Sequence, residues 1–246
     1  MRIADMNWMQ VEQRVRGDDR CVLPIGSVEQ HAYLSLCVDM ILSEKVAVDA
    51  AAPLGVPVYP AVPFGITPYF ADFPGTVSLR LETYHRIVTD IVDSLSGAGF
   101  TRILFVNGHG GNIATVTAAF SEIYADRSME KLSNQPSVKC ALRNWWDGAG
   151  IRQLQKELYP SGEGSHATAS EVALTWYKYP ETMNRTQLEP RIAPNGSFAD
   201  AEDYRRAFPD GRIGSDPSQA TPEHGKRFYD TAVEEVARDY ERWVAR

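Results

Sequence analysis

The sequence predicts an α/β fold: a three-layer α/β/α sandwich with a mainly parallel central sheet. Short runs rich in β-branched residues alternate along the chain with longer amphipathic stretches. This order of strand and helix builds parallel sheets that are covered by helices on both faces. The chain has 246 residues, and no repeat or long linker divides it. We therefore expect a single domain over residues 1–246.

Four runs have the length and composition of strands that are buried on both faces. They are CVLPI (21–25), VPVYPAV (56–62), RILFV (102–106) and SVKCAL (137–142). Five stretches have the period of amphipathic helices, and they cover residues 40–52, 81–98, 112–127, 168–178 and 222–244. The segment 187–221 is rich in Pro, Gly, Asp and Ser, which predicts an ordered but irregular excursion, and SNQPS (133–137) is predicted to be a loop.

Composition excludes several classes of protein. The net charge is −7 and no run of Lys or Arg occurs, so the electrostatic footprint of a nucleic-acid-binding protein is missing. No stretch approaches the roughly 18 apolar residues of a membrane span, and the first residues do not form a signal peptide. Cys21, Cys37 and Cys140 are odd in number and lack CxxC spacing, which is typical of a reducing compartment. We expect a cytoplasmic protein.

The first polar cluster, IGSVEQHAYLSLCVD (25–39), follows the predicted strand CVLPI. Two carboxylates and an imidazole, from Glu29, Asp39 and His31, suit a divalent cation such as Zn²⁺, Mn²⁺ or Fe²⁺. Glu29 and His31 are two residues apart, so in extended backbone both side chains point to the same side. Asp39 directly precedes a predicted helix and has a second interpretation as a helix N-cap.

The second cluster, NGHGGN (107–112), lies between the predicted strand RILFV and a helix. Its glycines allow positive φ and close approach of the backbone, so His109 can be directed into a site from a tight turn. Such a turn can also cradle phosphate, but both GxGxxG and the GK[ST] of a P-loop are missing. The histidine favours a metal site. Because ligands of a parallel sheet bind at the carboxyl ends of the strands, we expect both clusters to meet there.

The third cluster, GEGSHATASEVALTW (162–176), contains His166 and Glu171. A spacing of five residues does not share one face of a regular helix. The two side chains converge if His166 precedes the helix and Glu171 lies in its first turns, with Ser165 or Thr168 near the cap. A purely structural role for each of them is the alternative. His85 lies in an amphipathic helix and His224 near a helix start, and we expect neither to be a ligand.

Five motifs occurring in one order resemble the creatininase (creatinine amidohydrolase) family over essentially the whole chain. They are GSVEQH, DFPGTVSL, NGHGGN, HATASE and GRIGSDPSQATPEHG. The resemblance implies a three-layer α/β/α fold, a site for one or two divalent ions (Zn, Mn or Fe), hydrolysis of amide bonds that are often cyclic, and a homo-oligomer, commonly a hexamer. Carried over by position, it implies that Glu29, His31, Asp39 and His109 bind metal, with Asp39 bridging.

The chain departs from creatininase at three points. Gly111 stands where creatininase has a metal-binding glutamate, and Glu171 is our candidate for the missing ligand. Ser165 replaces the glutamate of a Glu-His pair, so an acidic contact to the substrate is absent. The segment that follows Glu29 also lacks a second histidine that is common in the family. We therefore expect a substrate other than creatinine.

The sequence thus predicts metal-assisted hydrolysis of a small amide or formamide. A cation lowers the pKa of bound water toward about 7 and polarises the carbonyl. His166, with Glu171 beside it, is the predicted catalytic residue, and it passes a proton to the leaving nitrogen. The predicted substrate-binding residues are backbone N–H groups at an oxyanion and pocket walls: Gly110, Gly111, Tyr33, Phe73, Trp145, Trp146 and Ser165.

Two alternatives remain at this point. The first is an altered, inactive family member that serves as a binding or scaffold protein, which the glycine at position 111 favours. The second is a metal-free protein that binds phosphate esters or other small molecules through the NGHGGN turn. The predicted aromatic walls also have an alternative, since such residues often belong to the core.

Overall fold

The computed structural model describes residues 1–129 and 137–245. Within these residues the sheet has three parallel strands in the order β1, β2, β3. Their bounds are β1 (Arg20–Ile25), β2 (Arg102–Asn107) and β3 (Lys139–Asn144). Three of the four predicted strands are confirmed, each within about two residues of the expected limits. The predicted loop SNQPS lies outside the described residues, except for Ser137.

The described ranges contain eight α-helices. They are α1 (Trp8–Val15), α2 (Val38–Ala51), α3 (Leu81–Gly97), α4 (Asn112–Met129), α5 (Ala149–Leu158), α6 (Ala169–Lys178), α7 (Ala201–Ala207) and α8 (Pro222–Val244). The five predicted helices are confirmed, whereas α1, α5 and α7 were not predicted. Helix α7 interrupts the segment 187–221, which is otherwise irregular as expected.

The predicted strand at 56–62 is wrong. This segment follows the free edge of β1, where Val58 and Val62 form only isolated parallel bridges with Val22 and Ile25. Its prolines, at positions 57 and 60, have no N–H to donate, so a continuous ladder cannot form. The segment instead covers the edge of β1 with a few separate hydrogen bonds.

Strand residues alternate between two hydrophobic cores, one on each face of the sheet. Val22 and Leu104 belong to the core that includes apolar residues of α2, α5, α6 and α8. Leu23 and Phe105 belong to the other core, which includes apolar residues of α3 and α4. Successive side chains of a strand point to opposite faces, so one sheet serves both cores. The predicted three-layer α/β/α architecture is confirmed.

Ion pairs lie at the amino ends of β1 and β2. Asp18 accepts hydrogen bonds from Arg20, with Nε at 2.8 Å and Nη2 at 2.7 Å. Asp19 accepts a hydrogen bond from Arg102 Nε at 2.8 Å. Burial raises the pKa of both carboxyls, but hydrogen bonds and charges, mainly of the arginines, outweigh it and lower the pKa of each. Each acid at this end has an arginine beside it.

Across residues 1–129 and 137–245, no helix combines the length and the apolar character needed to cross a bilayer.

Candidate metal centre

Three polar segments meet at the carboxyl end of the sheet. The residues after β1 lead into α2, the turn after β2 leads into α4, and the segment 163–168 leads into α6. A cavity of about 540 Å³ lies between them. It is bordered by the side chains predicted to bind metal, which are Glu29, His31, Asp39, His109 and Glu171, and by His166. The three clusters found in the sequence therefore form one site.

Asp39 is not a helix N-cap. Helix α2 begins at Val38, and its N-cap, Cys37, makes no side-chain capping bond. The Asp39 carboxylate is 2% exposed and lies between two imidazoles, with Oδ1 3.1 Å from His31 Nε2 and Oδ2 3.0 Å from His109 Nδ1. Burial raises the pKa of Asp39, but the neighbouring histidines outweigh it and hold the pKa far below its usual value. A shared position between two ring nitrogens is the geometry of a bridging ligand.

His109 is oriented by a backbone carbonyl. Its Nε2–H donates to the carbonyl oxygen of Ile66 at 2.8 Å, which leaves Nδ1 to face the carboxylates. Nδ1 lies 3.2 Å from Glu29 Oε2 and 3.0 Å from Asp39 Oδ2. A carbonyl that fixes one ring nitrogen and frees the other is the usual support of a metal-binding histidine.

His31 has the same arrangement with the nitrogens exchanged. Its Nδ1 lies 3.4 Å from the carbonyl oxygen of Glu29, and its Nε2 faces Asp39 at 3.1 Å and Glu171 Oε1 at 3.8 Å. Burial lowers the pKa of His31, but the surrounding carboxylates outweigh it and raise the pKa to about 10. A cation on Nε2 must therefore displace a proton that the same carboxylates attract.

His166 completes the group of histidines. Its Nε2–H donates to the carbonyl oxygen of Gln30 at 2.8 Å, and its Nδ1 lies 3.9 Å from Glu29 Oε1. Burial, reinforced by the charge of His31, lowers the pKa of His166 to about 4. The ring is neutral at neutral pH, and Nδ1 is free to accept a proton or to approach a cation.

Glu171 serves the helix and the site at the same time. Helix α6 begins after Thr168, whose side chain caps the Glu171 N–H, while Glu171 Oε2 accepts from the Thr168 N–H at 2.7 Å. The other oxygen, Oε1, faces His31. This capping box explains how His166 and Glu171 converge across a spacing of five residues, as the sequence predicted, because His166 precedes the helix and Glu171 lies in its first turn.

The NGHGGN turn depends on close backbone approach. A Cβ at Gly108 would lie 2.1 Å from the carbonyl oxygen of Asp39, and a Cβ at Gly111 would lie 2.1 Å from that of Ile66. Neither of these glycines, nor Gly110, has a positive φ, so that part of the prediction is wrong. Asn107 holds the turn by accepting from the His109 N–H at 3.0 Å and donating to the His109 carbonyl at 2.7 Å.

The cavity wall contains most of the predicted substrate-binding residues. Gly110, Gly111, Trp145, Trp146 and Ser165 line it. Tyr33 and Phe73 are not among the described residues that line it. Tyr33 borders a separate cavity of about 340 Å³, and Phe73 packs edge-on against Phe70 and Tyr204.

Several wall residues were missed by the sequence analysis. They are Tyr69, Phe70, Phe198 and Tyr204, with the polar side chains of Gln155, Glu163 and Thr168. Tyr69 and Phe70 lie just before the DFPGTVSL motif, with Ala71 between, and that position was an available signal. Phe198 and Tyr204 reach the cavity only through the path of the chain between α6 and α8, which no local pattern reveals.

The residues fit a divalent cation. Three overlapping sets have ligand atoms within 4.8 Å of one another: Glu29, Asp39 and His109; His31, Asp39 and Glu171; and Glu29, His31 and His166. Asp39 Oδ2 is buried and receives no aligned hydrogen bond from the described residues. Burying several carboxylates together is costly unless a cation neutralises them. Imidazole and carboxylate ligands suit Zn²⁺ and Mn²⁺.

Comparisons with known proteins agree with this chemistry. Creatinine amidohydrolase of Pseudomonas putida is 26% identical over 249 residues, covering 96% of this chain and 94% of the relative. A mycofactocin precursor peptide peptidase of Mycolicibacterium smegmatis is 28% identical over 230 residues, covering 90% and 84%. The relatives that the chain matches include hydrolases of different substrates.

Solved structures support the fold. A crystal structure of creatinine amidohydrolase (creatininase) superposes with a TM-score of 0.85 at 24% identity, covering 97% of this chain and 95% of the other. A mutant creatininase of Zn-Zn type and a creatininase with Mn superpose with TM-scores of 0.84 and 0.81, both at 23% identity. The family model described as "Creatininase: Creatinine amidohydrolase" matches residues 4–240. The chain belongs to the creatininase family.

Proposed function

We propose that this protein hydrolyses a non-peptide C–N bond in a small amide or formamide, cyclic or linear. The observation that carries the proposal is the shared construction of three histidines. Each of His31, His109 and His166 has one ring nitrogen at a backbone carbonyl and the other facing buried carboxylates. This arrangement prepares ring nitrogens as acceptors at the edge of a cavity large enough for a small substrate.

Glu29, His31, Asp39, His109 and Glu171 would hold the metal. When bound, a divalent cation supplies water of lowered pKa and polarises a carbonyl oxygen. His166 takes up a proton from the attacking water at Nδ1 and donates it to the leaving nitrogen. The Gln30 carbonyl keeps the ring in the required tautomer by accepting from Nε2–H at 2.8 Å.

The turn between β2 and α4 provides donors for the carbonyl oxygen under attack. The N–H groups of Gly110 and Gly111 have no hydrogen-bond acceptor within the described part of the chain, and both residues line the cavity. Free N–H groups at such a turn stabilise an oxyanion. Trp145 and Trp146 form the apolar part of the wall, and Ser165 adds a hydroxyl.

A catalytically inactive scaffold is the alternative, which Gly111 favours because creatininase has a glutamate there. The convergence of three ligand sets without a side chain at position 111 argues for activity. A phosphate-binding turn is a weaker alternative, since the NGHGGN backbone is next to several carboxylates that repel anions.

The test combines metal analysis with a substrate panel. Protein purified without chelator should contain one or two Zn, Mn or Fe ions per chain and should hydrolyse at least one formamide or cyclic amide. His166→Gln should retain the metal and lose activity by two orders of magnitude or more. Wild-type protein that retains metal yet cleaves only peptides would contradict the small-amide proposal. Native protein without metal, unaffected by chelators, would contradict the whole mechanism.

We also propose a cytoplasmic homo-oligomer, commonly a hexamer in this family, built from one domain over residues 1–246. Three free cysteines support a reducing compartment. Light scattering after gel filtration would measure the number of subunits, and a monomer at micromolar concentration would contradict the assembly.

A further inference from the structure

Position 111 has no room for a side chain. A Cβ there would lie 2.1 Å from the Ile66 carbonyl oxygen, 2.5 Å from His109 Nε2 and 2.7 Å from the hydroxyl of Tyr69. These distances are shorter than any normal carbon contact. The glutamate that the resemblance leads one to expect therefore cannot be accommodated, and the space beside His109 is taken by a carbonyl and a tyrosine hydroxyl.

The Tyr69 ring is held by other aromatic rings. Tyr69 lies in a short 3₁₀ turn, Pro68–Phe70. Its ring packs edge-on against Phe70, at 4.6 Å between centroids, and in a tilted arrangement against Phe198, at 5.4 Å. Contacts on several sides leave the ring few alternative rotamers, so the hydroxyl has a defined position on the cavity wall.

The hydroxyl of Tyr69 is an unused donor. His109 Nε2–H already donates to the Ile66 carbonyl at 2.8 Å, and the Tyr69 oxygen lies 3.5 Å from the same nitrogen as a weak second acceptor. Within the described residues, the Tyr69 O–H finds no acceptor of its own. A tyrosine hydroxyl carries its proton at neutral pH. Its natural acceptor is a molecule in the cavity.

The charge of the cavity restricts the chemical class of the molecule that accepts this hydrogen bond. Four carboxylates line the cavity, from Glu29, Asp39, Glu163 and Glu171, and no lysine or arginine is found among its described lining residues. A negative charge on the substrate, beyond the atoms that contact the cation, would find no lysine or arginine to pair with among the described residues of the wall. A tyrosine hydroxyl in this cavity donates a hydrogen bond to an oxygen of the bound molecule.

We propose that the Tyr69 hydroxyl contacts the substrate and donates a hydrogen bond to a second oxygen, distinct from the carbonyl under attack. This inference rests on the proposed function and deepens it. The substrate class becomes uncharged amides that have another acceptor oxygen, such as imides, ureides or hydroxy amides. Tyr69 is then a determinant of specificity.

The test uses two probes that differ by one oxygen. N-methylsuccinimide and N-methyl-2-pyrrolidinone share a five-membered ring, and only the imide has a second carbonyl. Calorimetric titration of the purified metal-containing protein should show about fivefold tighter binding of the imide, the usual strength of one neutral hydrogen bond. In Tyr69→Phe the two probes should bind equally, with the pyrrolidinone unaffected and the metal content unchanged.

Tyr59→Phe is the matched control. Its ring packs against Phe100, outside the cavity, so this variant should keep the preference for the imide. A wild-type protein without the preference, or a Tyr69→Phe variant that retains it, would overturn the proposal. Loss of metal in Tyr69→Phe would also overturn it, because the hydroxyl would then position His109. Since the readout is binding, failure to hydrolyse any amide counts against the proposed function alone.

Discussion

The acidic side chains at the two ends of the same strands have opposite kinds of partner. At the amino ends of β1 and β2, Asp18 and Asp19 are paired with Arg20 and Arg102. At the carboxyl ends, the carboxylates of the metal centre face imidazoles, and no lysine or arginine lines the cavity within the described residues. At the amino ends the counter-ions are arginines of the chain itself. At the carboxyl ends we expect a cation from solution to neutralise the carboxylates. This difference separates a structural ion pair from a binding site.

The largest effect is expected from Asp39→Asn, which replaces the carboxylate that lies between His31 and His109. Metal content should fall below one ion per chain, and activity should decrease by about three orders of magnitude, equivalent to roughly 4 kcal/mol of barrier. Metal analysis and initial rates on the best amide of the panel measure both. A variant with the full complement of metal would show that Asp39 is not a ligand.

Chelation should lower the stability of the protein through the metal centre at the carboxyl end of the strands, and not through the ion pairs at the amino end. Removing metal from the wild type should lower the free energy of unfolding by about 4 kcal/mol if the free ion was present at 1,000 times its dissociation constant. For a chain of this size the melting temperature should then fall by about 8–16 °C. Asp39→Asn is the control, and its melting temperature should respond little to EDTA. An equal response in both proteins would indicate that EDTA acts elsewhere.

A smaller effect is expected at the amino end. Arg102→Ala removes hydrogen bonds to Asp19, but both side chains are about one third exposed, so solvent screening reduces the loss to about 1 kcal/mol. Urea unfolding should detect this change while metal content and activity remain at wild-type values. Loss of metal in this variant would mean that the two ends are coupled through the sheet.

The smallest effect is a pH dependence at the same end. The pKa of Asp19 is lowered in the folded protein, so its stabilisation is present above the unfolded value of about 3.9 and is lost as pH falls through the folded value. Urea midpoints at pH 6 and pH 3.5, both with EDTA, should differ by a few tenths of a molar less in Asp19→Asn than in wild type. An identical pH dependence would contradict the assignment.

Local patterns predicted the centre of the fold well. CVLPI and RILFV became β1 and β2 because a continuous apolar run fits a strand that is buried on both faces. VPVYPAV is similarly apolar, but its prolines cannot complete a ladder, and this difference separates it from the strands. Helix α5 was missed because a short, polar stretch shows its apolar stripe only through Ile151 and Leu154.

The convergence of the candidate ligands was also readable, because these residues directly follow strands or begin helices. The packing around Gly111 could not be predicted from the sequence. Ile66 and Tyr69 reach it from more than forty residues away, and only tertiary packing brings them to His109. The same limit applies to Tyr33, whose aromatic character suggested a pocket wall but whose position borders a different cavity.

The two contacts of the Glu171 carboxylate have a kinetic consequence. One carboxylate oxygen closes the first turn of α6 and the other faces His31, so release of the ion and fraying of that turn are coupled events. Loading the centre should therefore slow amide hydrogen exchange at Glu171 and its neighbours. The rate of amide exchange at the start of α6 should then report on the release of a bound ion.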